Sequence, residues 1–503
     1  MVWRADDPQG NEAGKIKHLI VPYTRGIGLD LGCGPSKAFP HFIGVDSCKD
    51  TELFGVQMRP DLVVEDCTDI NDTVEDGSCD FVFSSHLLEH IQDYRRALKS
   101  WWKTLKMGGH LVLYLPHKKF YPNIGLPGSN PDHKHDFAPS DILAAMTEAG
   151  SSWECLIDEE RSEGREYSFL QVYRKTEDGQ HRITAHVKRP PKTACVVRYG
   201  GFGDQLMAAN ILPALKREGF HVTFMTTPKG RDILREDPHI DAWIIQDDDQ
   251  VPNHELGDYF DAWRPRFDRF INLCESVEGT LLTMPGRIAH TWPDAVRAQF
   301  CDRNYLEFTS QIAQLPYSSE SRFYATDDEK AWAQTQRGKG FYVMYALAGS
   351  SLHKFYPGQD AVIDAVLTLR PDAHFVLVGD DACKILEFGW EKNPRVTCLS
   401  GELSIRKTLA LANAMDCVIG PETGVLNAVA FEPMRKVVLL SHSSHENLTK
   451  HWTNTVAIAG DVPCFPCHRL HYDDRWCHRD EETAAAMCQK MIAPETVVGA
   501  ILK

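Results

Sequence analysis

VVRYGGFGDQLMAANILPALKREG, the stretch from Val196 to Gly219, decides the fold. A β-branched run beginning at Ala194 and Cys195 enters Gly200-Gly201-Phe202-Gly203-Asp204, and an amphipathic helix pattern follows at once. Strand, glycine turn and helix in that order open a parallel α/β unit. The glycines let a ligand approach the backbone, and the helix amino terminus favours an anion. Asp204 has two readings: a helix cap, where Asp is a preferred residue, or a carboxylate set beside a bound ligand.

Outward from this turn the pattern repeats in both directions. Towards the carboxyl terminus, Phe341 to Tyr345, His374 to Val378 and Cys417 to Gly420 read as further strands, and residues 304–338 are less regular. Towards the amino terminus, TEDGQHRITAHVKRPPK (Thr176 to Lys192) is polar, aperiodic and ends in Pro-Pro, which marks a linker. Before it lies another α/β block. Its strands are expected at Gly28 to Leu31, Phe42 to Asp46, Asp80 to Phe83 and His110 to Leu115, with two more near Trp153 and Tyr167 to Tyr173. A helix with Leu98, Trp101, Trp102 and Leu105 at 3-4 spacing is expected to stop at Met107-Gly108-Gly109. The expected division is 1–175, a linker at 176–192, then paired lobes at 193–335 and 336–503, all α/β.

Composition limits what such a chain does. At about 150 residues per domain, 503 residues suggest about three domains. With 43% hydrophobic and 25% charged residues, the balance is that of a soluble globular protein. The longest apolar runs fall short of the ~20 residues that span a bilayer. MVWRADDPQGNEAGK has no apolar core behind a basic start, so a signal peptide is not expected and a cytoplasmic location is. Lys and Arg number 54 against 70 Asp and Glu, a net charge of −16, which argues against duplex nucleic acid as the main partner. Fifteen cysteines without a secretory signal point to a reducing compartment.

In the first block, Gly32-Cys33-Gly34-Pro35-Ser36 follows a strand and Asp46 ends the next, an arrangement suited to a ligand with a ribose diol. LDLGCGPSK, FIGVDS, VVEDCTDI, DFVFSSHLLEHI and LKMGGHLVLYLPH, in that order over about residues 25–175, resemble the class I S-adenosylmethionine-dependent methyltransferases. The resemblance implies a Rossmann-like fold. It places Gly32 and Gly34 at the methionine part, Asp46 at the ribose, Asp66 and Cys67 at the adenine, and Ser84, Ser85 and His86 at the mouth where the methyl acceptor sits. One departure is the spacing: 11 residues separate Gly34 from Asp46, too few for the usual helix between the first two strands. His86, Glu89, His90, His133 and His135 are candidate bases, each with the plainer reading of helix-start or loop chemistry. No metal set stands out among them.

The segment from about 193 onward resembles glycosyltransferase family 9, the ADP-heptose lipopolysaccharide heptosyltransferases. The residues that carry this are the opening turn, ALAGSSLHKFYP, VLVGDD and LSGELSIRKTLALANAMDCVIGPETGVLNAVA. The resemblance implies a GT-B fold of two Rossmann-like lobes and inverting transfer from a nucleotide-diphosphate sugar. Asp204 would be the general base, with Gly203 beside it. Lys354 would neutralise the leaving diphosphate, with Glu422, Thr423 and Gly424 at the same phosphates, and Asp380 or Asp381 would hold the ribose. Glu422 stands where the family has Asp, Asn427 where it has His, and Tyr356 where it has Trp.

Cys464, Cys467, Cys477 and Cys488 have spacings of x2, x9 and x10, with His468, His471 and His478 interleaved. A structural zinc site is one reading of that cluster, and free thiols, or a disulfide in an oxidising sample, are the others. Taken together, the expectation is a bifunctional enzyme that uses S-adenosylmethionine and a nucleotide-diphosphate sugar on a glycan or glycoconjugate acceptor. Peripheral membrane contact is compatible with it. The rival readings are a nucleic-acid-modifying glycosyl- and methyltransferase and a partly inactive binding or assembly module.

Overall fold

The computed structural model describes residues 11–47, 52–53, 56–150, 152–186, 190, 192–274, 291–349, 351, 354–469 and 477–503. Two compact units emerge: residues 1–190 with 245–267, and residues 191–244 with 268–503.

The first unit is built on an eight-stranded sheet. Its strands are β1 (Gly28–Leu31), β2 (Ile43–Asp46), β5 (Leu62–Val63), β6 (Cys79–Ser85), β7 (Leu105–Pro116), β8 (Trp153–Arg161), β9 (Ser168–Lys175) and β10 (His181–Ile183). Two short strands, β3 (Glu52–Leu53) and β4 (Val56–Gln57), pair separately. The order is β10-β8-β9-β7-β6-β1-β2-β5, with β9 antiparallel to both neighbours and the remaining pairs parallel. The central strands are buried on both faces, which is why they read as continuous apolar runs. The helix Tyr94–Thr104 is capped by Asp93, which accepts from Arg96 N at 3.1 Å. It buries Leu98, Trp101 and Trp102, and an aromatic side chain taken fully out of water stabilises by about 2–3 kcal/mol. The expected stop at Met107-Gly108-Gly109 is corrected: the helix ends at Thr104, and those residues lie inside β7. No helix separates β1 from β2, as the short spacing requires.

The polar stretch after β9 is not all linker. His181–Ile183 adds to the sheet edge as β10, parallel to β8, and the His181 ring stacks on Trp153 at 4.8 Å. An imidazole on a tryptophan face gives a polar segment a packed anchor that hydropathy does not reveal.

The second unit holds two parallel sheets. One has the order β13-β12-β11-β14, from β11 (Thr193–Val197), β12 (His221–Thr226), β13 (Ala242–Ile245) and β14 (Arg269–Asn272). The other has the order β17-β16-β15-β18-β19-β20, from β15 (Phe341–Ala346), β16 (Ala373–Val378), β17 (Val396–Cys398), β18 (Cys417–Pro421), β19 (Arg435–Leu440) and β20 (Thr455–Ala459). One apolar cluster contains both Val196 and Leu206 from the first sheet's side and Val418 and Leu426 from the second's.

The expectation of an uninterrupted lobe at 193–335 is also corrected, because residues 245–267 group with the first unit. The helix Leu256–Trp263 buries Tyr259, Phe260 and Trp263. Gln250 Nε2 donates to the carbonyls of Val21 at 2.9 Å and Thr24 at 3.0 Å, Lys17 pairs with Glu255 at 2.6 Å, and Trp263 Nε1 donates to the His18 carbonyl at 3.2 Å. Among the described residues, no helix is long and apolar enough to cross a membrane.

Candidate functional site

Parallel sheets gather ligands at the carboxyl ends of their strands, and the candidates in the first unit lie there. Gly32 and Gly34 follow β1 with φ of +71° and +55°. Asp46 ends β2, and its carboxylate accepts from Gly34 N at 3.0 Å and Ser47 N at 2.8 Å, so the turn and the acid are fastened together. Asp66 and Cys67 follow β5. Asp66 accepts from Thr68 N at 2.8 Å, and the hydrogen bonds from Thr68 hold its carboxyl below the usual range. Burial pushes the Cys67 thiol up to about 11, with the charges of Asp46 and Asp66 adding to it. Ser84 is buried, and its Oγ donates to the Leu31 carbonyl at 3.4 Å, so that hydroxyl ties β6 to β1. Ser85 Oγ is buried without a hydrogen-bond partner.

The sequence did not single out Asp30, and it offered Glu89, His90 and His133 as candidate bases without showing their convergence. Asp30 in β1 is 3% exposed and accepts from Ala38 N at 2.8 Å; burial raises its carboxyl to about 7. Just past β6, Glu89, His90 and His133 bring their ligand atoms within 4.8 Å of one another. His133 is within reach because Lys134 N and His135 N both donate to the Glu89 carbonyl, at 2.8 and 3.2 Å. His135 itself turns to the Gln92 carbonyl at 3.0 Å.

In the second unit, the helix Phe202–Ala209 begins against the short helix Gly424–Ala428. A Cβ on Gly203 would stand 2.8 Å from Asn427 Nδ2 and 3.1 Å from Gly424 Cα, so only glycine fits this approach. Asp204 is the helix cap of its first reading, and its second oxygen is held by an arginine. One carboxylate oxygen caps its own helix, accepting from Gly201 N at 2.8 Å, and the other lies 3.2 Å from the buried Arg198 guanidinium. Arg198 is itself fixed by the Leu273 carbonyl at 3.1 Å and the Tyr305 hydroxyl at 3.0 Å. Lys354 is 6% exposed and donates to the Glu422 carbonyl at 2.8 Å. Burial holds its pKa below the usual lysine value, against the opposing charges of Glu422 and Asp204. The Thr423 hydroxyl at the head of the facing helix is buried and without a partner.

Glu422 is engaged within the protein. Its carboxylate accepts from the main-chain amides of Ser441 at 3.0 Å, His442 at 3.3 Å and Ser443 at 2.9 Å, and from the Ser441 hydroxyl. Burial pushes its pKa up, and the charges of His442 and Lys354 together with the Ser441 hydrogen bonds outweigh that, leaving it below the usual value. Asp380 and Asp381 are exposed just beyond β16, where Asp380 caps a 3-10 turn through Cys383 N at 3.2 Å and Asp381 pairs with Lys384 at 3.2 Å.

Cys464, Cys467, Cys477 and Cys488 all line one cavity of about 320 Å³, with His478 and Met487. Burial pushes the Cys488 thiol up to about 12, reinforced by Cys467, Cys477, Glu422 and Cys464. His468 turns to Asp302 at 3.2 Å, and His471 lies outside the described residues.

A family model described as a methyltransferase domain matches residues 29–113. No curated protein matches the chain at a significant level. Among solved structures, a glycosyl transferase of family 9 from Veillonella parvula is 14% identical, covering 62% of this chain and 97% of its own, with a TM-score of 0.46. The E. coli ADP-heptose LPS heptosyltransferase II is 15% identical over 62% of this chain and 98% of its own, with a TM-score of 0.43. An S-adenosylmethionine-dependent methyltransferase from Mesorhizobium loti is 18% identical over 33% of this chain and 99% of its own, with a TM-score of 0.26.

Proposed function

We propose that the chain carries two transferases: methyl transfer from S-adenosylmethionine by the first unit, and inverting glycosyl transfer from a nucleotide-diphosphate sugar to a glycan or glycoconjugate hydroxyl by the second. The observation that carries the second half is one juxtaposition. A carboxylate oriented by a buried arginine, a buried ammonium and an unpaired threonine hydroxyl meet where two helices begin. Asp204 takes the proton of the acceptor hydroxyl as it attacks the anomeric carbon, and Arg198 fixes the carboxylate for that task. Lys354 neutralises charge growing on the leaving diphosphate, aided by the Thr423 hydroxyl and the Gly424 amide. Glu422 acts from behind, holding the Ser441 to Ser443 turn and the Lys354 ammonium in place. Asp380 or Asp381 takes the ribose hydroxyls.

For the first unit, the residues fit S-adenosylmethionine. Nothing lies within 4 Å of where a Gly34 Cβ would stand, the Asp46 carboxylate faces the same turn, and Ser85 Oγ lacks a partner. Gly32 and Gly34 lie along the methionine part, Asp46 binds the ribose diol, and Asp66 with Cys67 edges the adenine. The bound donor supplies an electrophilic methyl group on a sulfonium, and the protein's part is to align the acceptor in line with it. The four cysteines share one cavity, the one observation that favours a structural zinc in the second unit, but among the described residues no three of their sulfurs come within 4.8 Å of one another. Elemental analysis of purified protein should find about one zinc per chain fewer in C464S than in the wild type; equal zinc in the two, with the fold intact, removes that reading.

Asp204→Asn tests the glycosyl half. Turnover should fall about 10²–10⁴-fold, the usual contribution of a general base, with nucleotide-sugar binding by calorimetry unchanged. Turnover near the wild-type rate would refute the assignment.

A further inference from the structure

Among the described residues, the Glu89 carboxylate is buried with no group to answer its charge. It is 0% exposed, and neither oxygen has a hydrogen-bond partner. Its Oε1 is ringed by imidazoles: His133 Nε2 at 3.8 Å, His86 Nδ1 at 3.9 Å and His90 Nε2 at 4.0 Å. These distances are too long for hydrogen bonds. They are a few tenths of an ångström wider than the ~3.4 Å between two ligands of one tetrahedral ion at ~2.1 Å. A buried carboxylate without donors is costly unless it is paired or binds a metal.

The surroundings orient the ligands. His90 Nε2 faces the Glu89 carboxylate. The His133 ring sits between His90, edge-on at 4.8 Å, and Tyr121 at 5.3 Å. The His133 loop is pinned to the Glu89 carbonyl by two amides. His86 Nε2 is bonded to Ser168 Oγ at 2.9 Å, and it stands outside the set whose ligand atoms all lie within 4.8 Å.

We propose that Glu89, His90 and His133 form a binding site for one divalent transition-metal ion. Two imidazoles and a carboxylate suit zinc, iron(II), manganese(II) or cobalt(II), and three protein ligands leave positions open for an oxygen from outside. The site follows directly on β6, and the intervening Leu87 packs against Gly32, with 3.0 Å to where a Gly32 Cβ would stand. On the methyltransferase reading of this unit, the open positions hold the acceptor hydroxyl. Its proton leaves to solvent, the oxygen takes the methyl group as the C–O bond forms, and the electrons of the broken C–S bond remain on sulfur.

Cobalt(II) titration of the full chain, stripped with a chelator, tests this with the metal alone as probe. Nitrogen- and oxygen-bound cobalt gives visible bands without the near-ultraviolet thiolate charge-transfer band that the cysteine cavity would produce. One nitrogen/oxygen-type site per chain is expected, weakened at least tenfold in E89Q and H133A and unchanged in C464S. H90A serves where E89Q fails to fold, with circular dichroism checking each variant. Absence of that spectrum, or equal affinity in folded E89Q, H133A and H90A, overturns the site. S-adenosylmethionine calorimetry on the same samples separates the two ideas. Donor binding without cobalt binding sinks the metal site alone; cobalt binding without donor binding upholds the site and removes its role in methyl transfer.

Discussion

Glu422 shows how much one side chain can hold. Its carboxylate satisfies three main-chain amides and a hydroxyl from Ser441 to Ser443 inside the second unit, and its own carbonyl takes the Lys354 ammonium. Replacing it by Gln removes the charge and turns an amide NH₂ towards those donors. At neutral pH E422Q should lose about 3–5 kcal/mol, the usual cost of breaking a buried charged network. The sign with pH follows from the lowered folded pKa. The stabilisation is fully present above the ordinary value of 4.5 and is lost as pH falls through the folded pKa, so the wild-type advantage in urea midpoint should shrink only below pH 4.5. An advantage that is flat from neutral to strongly acidic pH would contradict this. Sequence reasoning identified Glu422 as a departure from the family pattern; it did not reveal the loop it holds, because the Ser441 to Ser443 amides are brought to it only by the pairing of β18 with β19.

At the scale of elements, the strand-turn-helix openings were the most legible part of the chain. Apolar runs ending in glycine turns specify both β1 and β11 locally, and each is a central strand of its sheet. The approach of the helix Phe202–Ala209 to Gly424–Ala428 was not legible, since the two starts are far apart in sequence and meet only through a glycine contact. That contact makes a prediction. G203A places a methyl group 2.8 Å from Asn427 Nδ2 and pushes the two helix starts apart. Asp204 and the Thr423 hydroxyl then move relative to one another, and a misplacement near 1 Å costs about 10²-fold in rate. Steady-state kinetics should show that loss in kcat, with the urea midpoint little changed; wild-type kcat would mean that the approach does not set the geometry. The edge strand His181–Ile183 escaped reading for a different reason. Its anchor is one ring stacked on Trp153, which leaves no periodicity in the sequence.

For the whole molecule, length predicted about three domains and the alternation of strand and helix patterns made them α/β; the described residues contain three parallel or mostly parallel sheets in two compact units. The sequence could not show that residues 245–267 return to the first unit. Their helix is amphipathic like any other, and its partners, Lys17, His18, Val21 and Thr24, are specified only by the fold. The cluster of Glu89, His90 and His133 escaped for the same reason: a helix start and a distant loop meet through main-chain hydrogen bonds to the Glu89 carbonyl. The negative net charge also takes on a clearer meaning. On the proposed reading an anionic donor would be met locally, by groups such as Lys354 and by helix starts, within an acidic whole. The central claim is that one chain carries two transferases. Mass spectrometry of glycan acceptors incubated with the full chain, S-adenosylmethionine and a panel of nucleotide sugars tests it most directly. The account predicts product gaining a glycosyl residue that D204N no longer adds, and a methyl group that D204N still adds to a suitable acceptor; acceptors left unchanged with every donor, by protein that is folded, would contradict it.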